Sequence, residues 1–287
     1  MKKIELVEGI HASVIGFGCS PIMGPVDSKT AKYAIDMAID YGVNYFDVAR
    51  SYGYGEAEGF LGKTIKNKKN EVYISTKFGI NPNWKANSFK KLKPIFRYIQ
   101  SLKSKKPNDT LVNQTAPSEL SKKLLDRIVP LRGKDMRKSL EVSLRELDRE
   151  YVDCLFIHEP HQSLDYVGEL KETAEILKKE GKIRSFGLSA LHSQENLHQN
   201  YLDNFDLLQY DNPIARGDYS DYLLKRVHQP NIIFSPFKGG SNTMNPAQKL
   251  GRLLNDFPDS VILCSMFNPN HIKQNIQIAE SIKDLNK

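Results

Sequence analysis

Gly42-Val43-Asn44-Tyr45-Phe46-Asp47-Val48-Ala49-Arg50-Ser51-Tyr52-Gly53 is the stretch that decides how the rest of the chain is read. Upstream of Gly42, the apolar positions Ala31, Ala34, Ile35, Ala38 and Ile39 recur at offsets of three and four. That is the stripe of an amphipathic helix, which Ser28 can cap and Gly42 can end. A short apolar strand, Asn44–Asp47, follows. It closes on a carboxylate, and a tyrosine stands five residues further on. Ionisable groups are thus placed where the carboxyl end of a strand opens into a loop, the edge at which α/β barrel enzymes hold their reacting groups. Two later strands end in the same way, one at Lys77 and one at His158.

Working outward, strand-like and helix-like segments alternate. The strands read as Val14–Gly18, Asn44–Asp47, Val72–Lys77, Val152–His158, Ile183–Ser189, Leu207–Tyr210, Ile232–Ser235 and Val261–Cys264. Helices are expected at 28–41, 57–66, 135–148, 167–180, 193–201, 219–228, 246–255 and 269–284. Nearly continuous apolar strands fit a parallel sheet covered on its outside by helices, and eight βα units are the number that closes into a barrel. The expected fold class is therefore α/β, a (β/α)8 TIM barrel in a single domain spanning 1–287. Residues 2–12, with Gly9 at a turn, are expected to form a hairpin across its bottom. A doubly wound sheet is disfavoured. Gly16 and Gly18 start a dinucleotide-type glycine pattern, but Pro21 interrupts the helix that should follow.

One connection breaks the rhythm. Residues 79–133 form a basic insertion after the third strand, far longer than the few residues usual between strand and helix. Pro94 can start a helix carrying Ile95, Phe96, Ile99 and Leu102. Ser118 can cap another carrying Leu120, Leu124, Leu125 and Ile128, with polar Ser104–Gln114 between them. Residues 83–134 hold 13 Lys and Arg against 3 Asp and Glu, so the net charge of +7 belongs to this segment and not to the barrel. Such a field near a reaction centre would draw in anionic substrates. Trp84, Phe89, Phe96 and Tyr98 lie among the lysines, but no nucleic-acid-binding module is recognisable and no nucleic-acid partner is expected.

The remaining composition sets limits. The start, Met1–Leu6, is positively charged without an apolar core, so no signal peptide is expected. No run approaches the roughly 18 apolar residues of a membrane span. Cys19, Cys154 and Cys264 are sparse, lie in or beside apolar strands, and match no metal spacing. They read as reduced thiols of a cytoplasmic protein.

Asp47, Tyr52, Lys77 and His158 make chemical sense together. Reducing a carbonyl requires a proton at the oxygen as charge builds there. Tyrosine, with an ordinary pKa of about 10, is a weak acid near neutrality. A cation beside it favours the phenolate and should lower that value. Lys77 can be this cation, Asp47 can hold the ammonium, and His158 can orient the carbonyl. Each also has a plain structural reading: Asp47 as a helix cap, Lys77 as a solvated strand end, His158 as a satisfied core histidine, Tyr52 as a packed loop aromatic.

With these residues the chain resembles the aldo-keto reductases. The resemblance rests on Gly16-Phe17-Gly18, Gly42–Tyr52 followed by Gly55, Glu58, Leu61 and Gly62, Val72–Lys77, Tyr151–His158, Gly181–Arg184, Gly187–Ser189 and Phe234–Pro236. It implies a nicotinamide cofactor across the barrel's C-terminal face, with Tyr52 as general acid supported by Asp47, Lys77 and His158. It also implies cofactor contacts at Gly18, Cys19, Asp47, Ser189, Gln209, Phe234, Ser235, His271 and Asn275. Ala190 stands where the family's carboxamide-binding asparagine is expected. Aligned on Asn275, the lysine and arginine that take the 2′-phosphate become Ser265 and His271. The expected cofactor is NADP on family precedent, with NAD open. The expected substrate is a small aldehyde, ketone or sugar, anionic if the insertion's charge bears on it. Two rival readings share the barrel. One is a cofactor-binding regulatory protein with little turnover. The other is an aldolase using Lys77 as a Schiff base.

Overall fold

The computed structural model describes residues 1–86, 88, 123–212, 214, 229–238 and 244–283. Twelve strands occur among them: β1 Lys3–Glu5, β2 His11–Ser13, β3 Ile15–Gly18, β4 Tyr45–Asp47, β5 Tyr73–Phe78, β6 Ile80–Pro82, β7 Leu125–Arg127, β8 Val152–His158, β9 Ile183–Ala190, β10 Leu207–Asp211, β11 Asn231–Phe234 and β12 Val261–Cys264. Strands β3, β4, β5, β8, β9, β10, β11 and β12 form a closed parallel barrel in that order, β12 pairing back to β3. This is the (β/α)8 barrel expected from the alternation. The longer helices packed outside are α1 Ser28–Asp40, α2 Ala57–Thr64, α3 Gly133–Leu147, α4 Val167–Lys179, α5 Pro246–Asp256 and α6 Pro269–Lys283.

The apolar stripe of α1 is buried as its spacing predicts: Ala31, Ala34, Ile35 and Ala38 are all inaccessible. Its cap differs from the expected Ser28. The Asp27 carboxylate accepts the Lys29 and Thr30 N–H groups, and Ser28 becomes the first helical residue. At the other end Gly42 takes φ 86°, where a Cβ would be strained. Inside the barrel, small and large residues alternate between neighbouring strands. A Cβ on Gly187 would fall 2.3 Å from the Phe156 ring, so this glycine makes room for that ring. The interior is a packed core and not a pore.

Strands β1 and β2 pair antiparallel through a turn in which Gly9 has φ 74°. They seal the N-terminal end, where Asn44, just before β4, bonds to Ser13 and His11. The insertion departs from expectation. Leu125–Arg127, placed by its leucine spacing in a helix starting at Ser118, is strand β7, antiparallel to β6, with Ile80 opposite Arg127. A helical stripe and a short strand share an apolar run of this length, and the pairing partner, absent from the periodicity, decides. Ser118 and Leu120, the helix expected from Pro94 and the 104–114 stretch lie outside the described residues, as does the helix expected at 219–228. The helix expected at 193–201 is one α-turn, Glu195–His198, between two 3-10 segments.

Candidate active site

Register alone gathers most of the candidate site. Gly18 is opposite Asp47, and Asp47 is opposite Ser75. Lys77 lies two residues beyond Ser75 and therefore shares its face. Lys77 is opposite Phe156, two residues before His158, and His158 is opposite Ser189. Ser189 is opposite Gln209, and Asp211 is opposite Phe234. Neighbouring register partners share a face of the sheet, so these side chains ring the interior at the barrel's C-terminal end.

At its centre is a buried ion pair. Lys77 Nζ lies 2.5 Å from Asp47 Oδ2, and the two side chains are 2% and 4% exposed. Burying two charges is favourable only when their remaining hydrogen-bonding capacity is met. Here it is. Ser75 Oγ donates to Asp47 Oδ1 at 2.8 Å and Gln209 Nε2 donates to the same oxygen at 3.1 Å. Lys77 Nζ also donates to the Val48 carbonyl and to Tyr52 Oη, each at 3.2 Å. The ammonium sits 4.9 Å from the Tyr52 ring centroid as well. The Tyr52 ring meets the His158 ring edge-on, centroids 5.7 Å apart at 80°. His158 Nδ1 is 3.5 Å from Ser51 Oγ. Asp47, Tyr52, Lys77 and His158 therefore do come together. The bland readings of Asp47 as a helix cap and Lys77 as a solvated strand end do not describe them.

The electrostatics correct one expectation. Lys77 was expected to lower the Tyr52 pKa. Instead, burial first, then the carboxylates of Asp47 and Glu159 and the thiol of Cys19, hold it well above its usual value. The carboxylate that anchors the ammonium also opposes a phenolate. Tyr52 is thus a protonated phenol at neutral pH. Burial, reinforced by the Lys77 and Arg127 cations, pushes His158 well below the usual histidine range. The imidazole is neutral and still carries one N–H donor.

The residues expected at a cofactor fall into three groups. Ser189 and Gln209 are buried in the ring, and Gln209 Oε1, with atoms packed around it, has no hydrogen-bond partner. Asn275 in α6 is likewise buried, with Nδ2 unpartnered. An orphaned buried polar atom costs about 1–3 kcal/mol, and these two could serve a cofactor as acceptor and donor. Gly18 offers bare backbone at the β3 end, with Ser265 Oγ donating to its carbonyl at 3.1 Å. Phe234 and Ser235 lie partly buried at the β11 end, Ser235 at φ 53°. Ser265 and His271 are exposed. Cys19 is different. Its N–H donates to the Asp47 carbonyl at 2.9 Å, and burial followed by the Asp47 carboxylate pushes its thiol well up, so it offers a wall and not a ligand. The donor set fits an elongated cofactor with an amide at one end and a nitrogen base at the other.

Ser75 and Ser51 were missed from sequence. Strand alternation, which puts Ser75 on the Lys77 face, could have found the first. Arg127 and Glu159 at the rim were also missed. All three cysteines are free and buried. Among the described residues, no His, Cys, Asp and Glu cluster can hold a metal, and no helix is long and apolar enough to cross a membrane.

Comparison with known proteins agrees with this geometry. The profile of the aldo/keto reductase family matches residues 14–213, and the chain belongs to that family. It is 30% identical over 190 residues to the aldo-keto reductase YhdN of Bacillus subtilis, covering 63% of this chain and 44% of that protein. It is 28% identical over 203 residues to an L-galactose dehydrogenase of Arabidopsis thaliana, covering 67% and 50%. The chain thus spans about half the length of these curated relatives. Two solved structures share the fold. One is an aldo-keto reductase from Klebsiella pneumoniae in complex with NADPH, at TM-score 0.68 and 18% identity over 99% of this chain and 94% of that one. The other is an aldo-keto reductase of Bacillus halodurans in its holo form, at 0.70 and 22% over 98% and 91%.

Proposed function

We propose that this chain is an NAD(P)-dependent oxidoreductase that reduces an aldehyde, ketone or sugar carbonyl, or runs the reverse oxidation, with Tyr52 as general acid. The observation that carries the reading is the contact series from the buried Asp47 and Lys77 to the partly buried Tyr52, whose ring meets His158 edge-on. When bound, a reduced nicotinamide supplies the hydride. The chain's own residues do the rest. Tyr52 Oη holds the proton that the carbonyl oxygen takes as its negative charge grows. Lys77 donates to the same phenol oxygen and stabilises it once the proton has left. Asp47, fixed by Ser75 and Gln209, keeps the ammonium in place. The neutral His158 ring turns an N–H toward the carbonyl oxygen, which fixes the approach of the substrate.

Gln209 Oε1 and Ser189 would hold the nicotinamide carboxamide, Phe234 would lie against its ring, Gly18 and Ser235 would pass the pyrophosphate, and Asn275 would meet the adenine. His271 could meet a 2′-phosphate, and NADP is the leading cofactor on the precedent of the NADPH-bound neighbour from Klebsiella. Fluorescence titration with NADPH and NADH, followed by steady cofactor consumption over a panel of carbonyls, tests this. Turnover that Tyr52→Phe abolishes is the expected result. Cofactor binding without any turnover would instead favour a regulatory role on the same barrel, and borohydride trapping of a substrate on Lys77 an aldolase.

A further inference from the structure

Tyr52 reaches Lys77 from a loop and not from a strand. Among the described residues its hydroxyl bonds to Lys77 alone, so the backbone that carries the phenol sets its place. That backbone is tightly wound: Gly53, Tyr54 and Gly55 stand in succession at φ 60°, 60° and 88°. A Cβ on Gly53 would fall 2.7 Å from the Ile22 carbonyl oxygen, so the turn is pressed against that segment. From inside the barrel the loop is tied to β5 through Val48. Its N–H donates to the Ser75 carbonyl at 2.9 Å, and its carbonyl accepts from Lys77 at 3.2 Å. A second tie lies outside. Ser75 and Lys77 face the interior, so Thr76 between them faces the helices. Thr76 Oγ1 donates to Glu58 Oε1 at 2.6 Å. Glu58, in the first turn of α2, accepts from Arg50 Nη1 at its other oxygen, also at 2.6 Å. The side chains of Arg50 and Glu58 are 12% and 1% exposed. One carboxylate thus grips both the residue before Lys77 and the residue two before Tyr52.

A buried ion pair is weak evidence of stability, because an apolar pair of similar volume often serves the fold as well. What short, charge-assisted bonds add is geometry: they fix direction as well as separation. We propose that Glu58 is a positioning residue for the proton transfer, holding the Tyr52 loop and the Lys77 strand together from behind the reaction centre, so that Lys77 Nζ stays 3.2 Å from Tyr52 Oη. Arg50 and Thr76 are its two arms. Thr76 and Glu58 lie outside the barrel wall, so their effect on the chemistry passes through the backbone. It runs over one residue from Thr76 to Lys77 and over two from Arg50 to Tyr52. Asp47 fixes the ammonium from inside. With Glu58 gone the ammonium keeps its place and the phenol loses alignment with it. The weakened contact is one that gains in worth as the proton leaves, so the loss falls on kcat and not on binding.

This inference rests on the oxidoreductase reading, and one set of variants of the whole chain separates the two. Arg50→Met combined with Glu58→Leu removes both charges and leaves neither unpaired, so the fold should hold. The kcat for carbonyl reduction is then expected to fall about 10- to 100-fold, the worth of roughly an ångström of misplacement, while NADPH affinity and the carbonyl KM stay. The alkaline climb of the reverse oxidation should move to higher pH, because the phenolate loses part of its cation. Glu58→Gln, which keeps an acceptor for Arg50, should lie between the double variant and the wild type. Asn44→Ala is the control, since it weakens the far end of the barrel and should leave kcat alone. A double variant with wild-type kcat and an unmoved alkaline limb would overturn the inference, while turnover that Tyr52→Phe abolishes still upholds the oxidoreductase reading. A kcat loss that Asn44→Ala reproduces would overturn it as well, because general loosening would then suffice. If the double variant does not fold, the nearly isosteric Thr76→Val decides. Its kcat should fall at least about threefold, the lower range of one hydrogen bond's worth, and a wild-type kcat would sink the proposal. Cofactor binding with no turnover of any carbonyl by the wild type would remove both readings.

Discussion

The two ends of the barrel are built from the same strands and bond in opposite ways. At the N-terminal end the buried side chains of Asn44 and Asp153 are answered by several partners each. Asn44 accepts from Ser13 N–H at 2.7 Å and donates through Nδ2 to the His11 carbonyl at 3.0 Å, while its N–H donates to Ser13 Oγ at 3.0 Å. Asp153 takes Ile74 N–H at 2.7 Å and Arg184 at 3.2 Å. At the C-terminal end the Asp47–Lys77 pair is just as well satisfied, but Gln209 Oε1 and Asn275 Nδ2 are left without a partner, and Glu159 and Ser235 sit at positive φ. The satisfied clusters hold the frame, and the two open amide atoms are ones the proposed cofactor would meet.

The contrast is broken most severely at the proposed proton donor. Tyr52→Phe removes the transferred proton and leaves the frame, so kcat should fall about 100- to 10,000-fold with NADPH affinity retained, read from steady-state rates and a fluorescence titration. Lys77→Met should abolish activity too, but at a different cost. It leaves the Asp47 carboxylate buried and unpaired, and a loss of about 3–5 kcal/mol in chemical denaturation is expected. A Tyr52→Phe variant as unstable as Lys77→Met would mean that the phenol belongs to the frame.

The N-terminal end should answer with stability alone. Asn44→Ala breaks the buried bonds to Ser13 and His11, and about 1–3 kcal/mol should be lost, with kcat and KM at the far end unchanged. A change in KM would show that the two ends are coupled through β4.

Most of the barrel was legible in the sequence because its cause is local. Apolar runs of strand length, three-and-four helix spacing and glycine stops are properties of neighbouring residues, and β8 and β12 carry the expected bounds. Asp47, Lys77 and His158 were legible for a related reason: the end of a strand is visible, and a parallel barrel brings all such ends together. What was hidden depends on partners far along the chain. The β6–β7 pairing turned the end of an expected helix, Leu125–Arg127, into a strand. Arg127 could not be placed beside Glu159 until that hairpin existed. The direction of the Tyr52 shift needed the depth of burial and the position of a second carboxylate, neither of which residue spacing contains.

Acidity sharpens the comparison further. A neutral His158 whose folded value lies well below its unfolded one binds fewer protons folded than unfolded. Its contribution to stability is whole above the unfolded pKa of about 6.5 and declines as pH falls from there toward the folded value. The gap in stability between wild type and His158→Gln should accordingly narrow between pH 7.5 and pH 5.5, followed by thermal melts. With Tyr52 raised, reduction should run level across neutral pH and oxidation should climb into the alkaline range. A bell centred near neutrality would place a different group at the proton.

The smallest expected effect lies on the surface, at the adenosine end of the proposed cofactor. His271 is exposed, one helical turn before Asn275 in α6, and carries no fixed charge. Arginine would add a planar, permanently charged donor suited to a phosphate dianion. If the 2′-phosphate lies here, His271→Arg should tighten NADPH by about 1 kcal/mol, roughly fivefold, because solvent screens an exposed pair, and should leave NADH where it was. Asn275→Leu, by contrast, removes the buried donor below it and should weaken both cofactors alike. A substitution that moved NADPH and NADH together at His271, or apart at Asn275, would mean that the phosphate is read elsewhere along the barrel rim. The described end of α6 would then be part of the frame and not of the open bonding that the other end of this barrel presents.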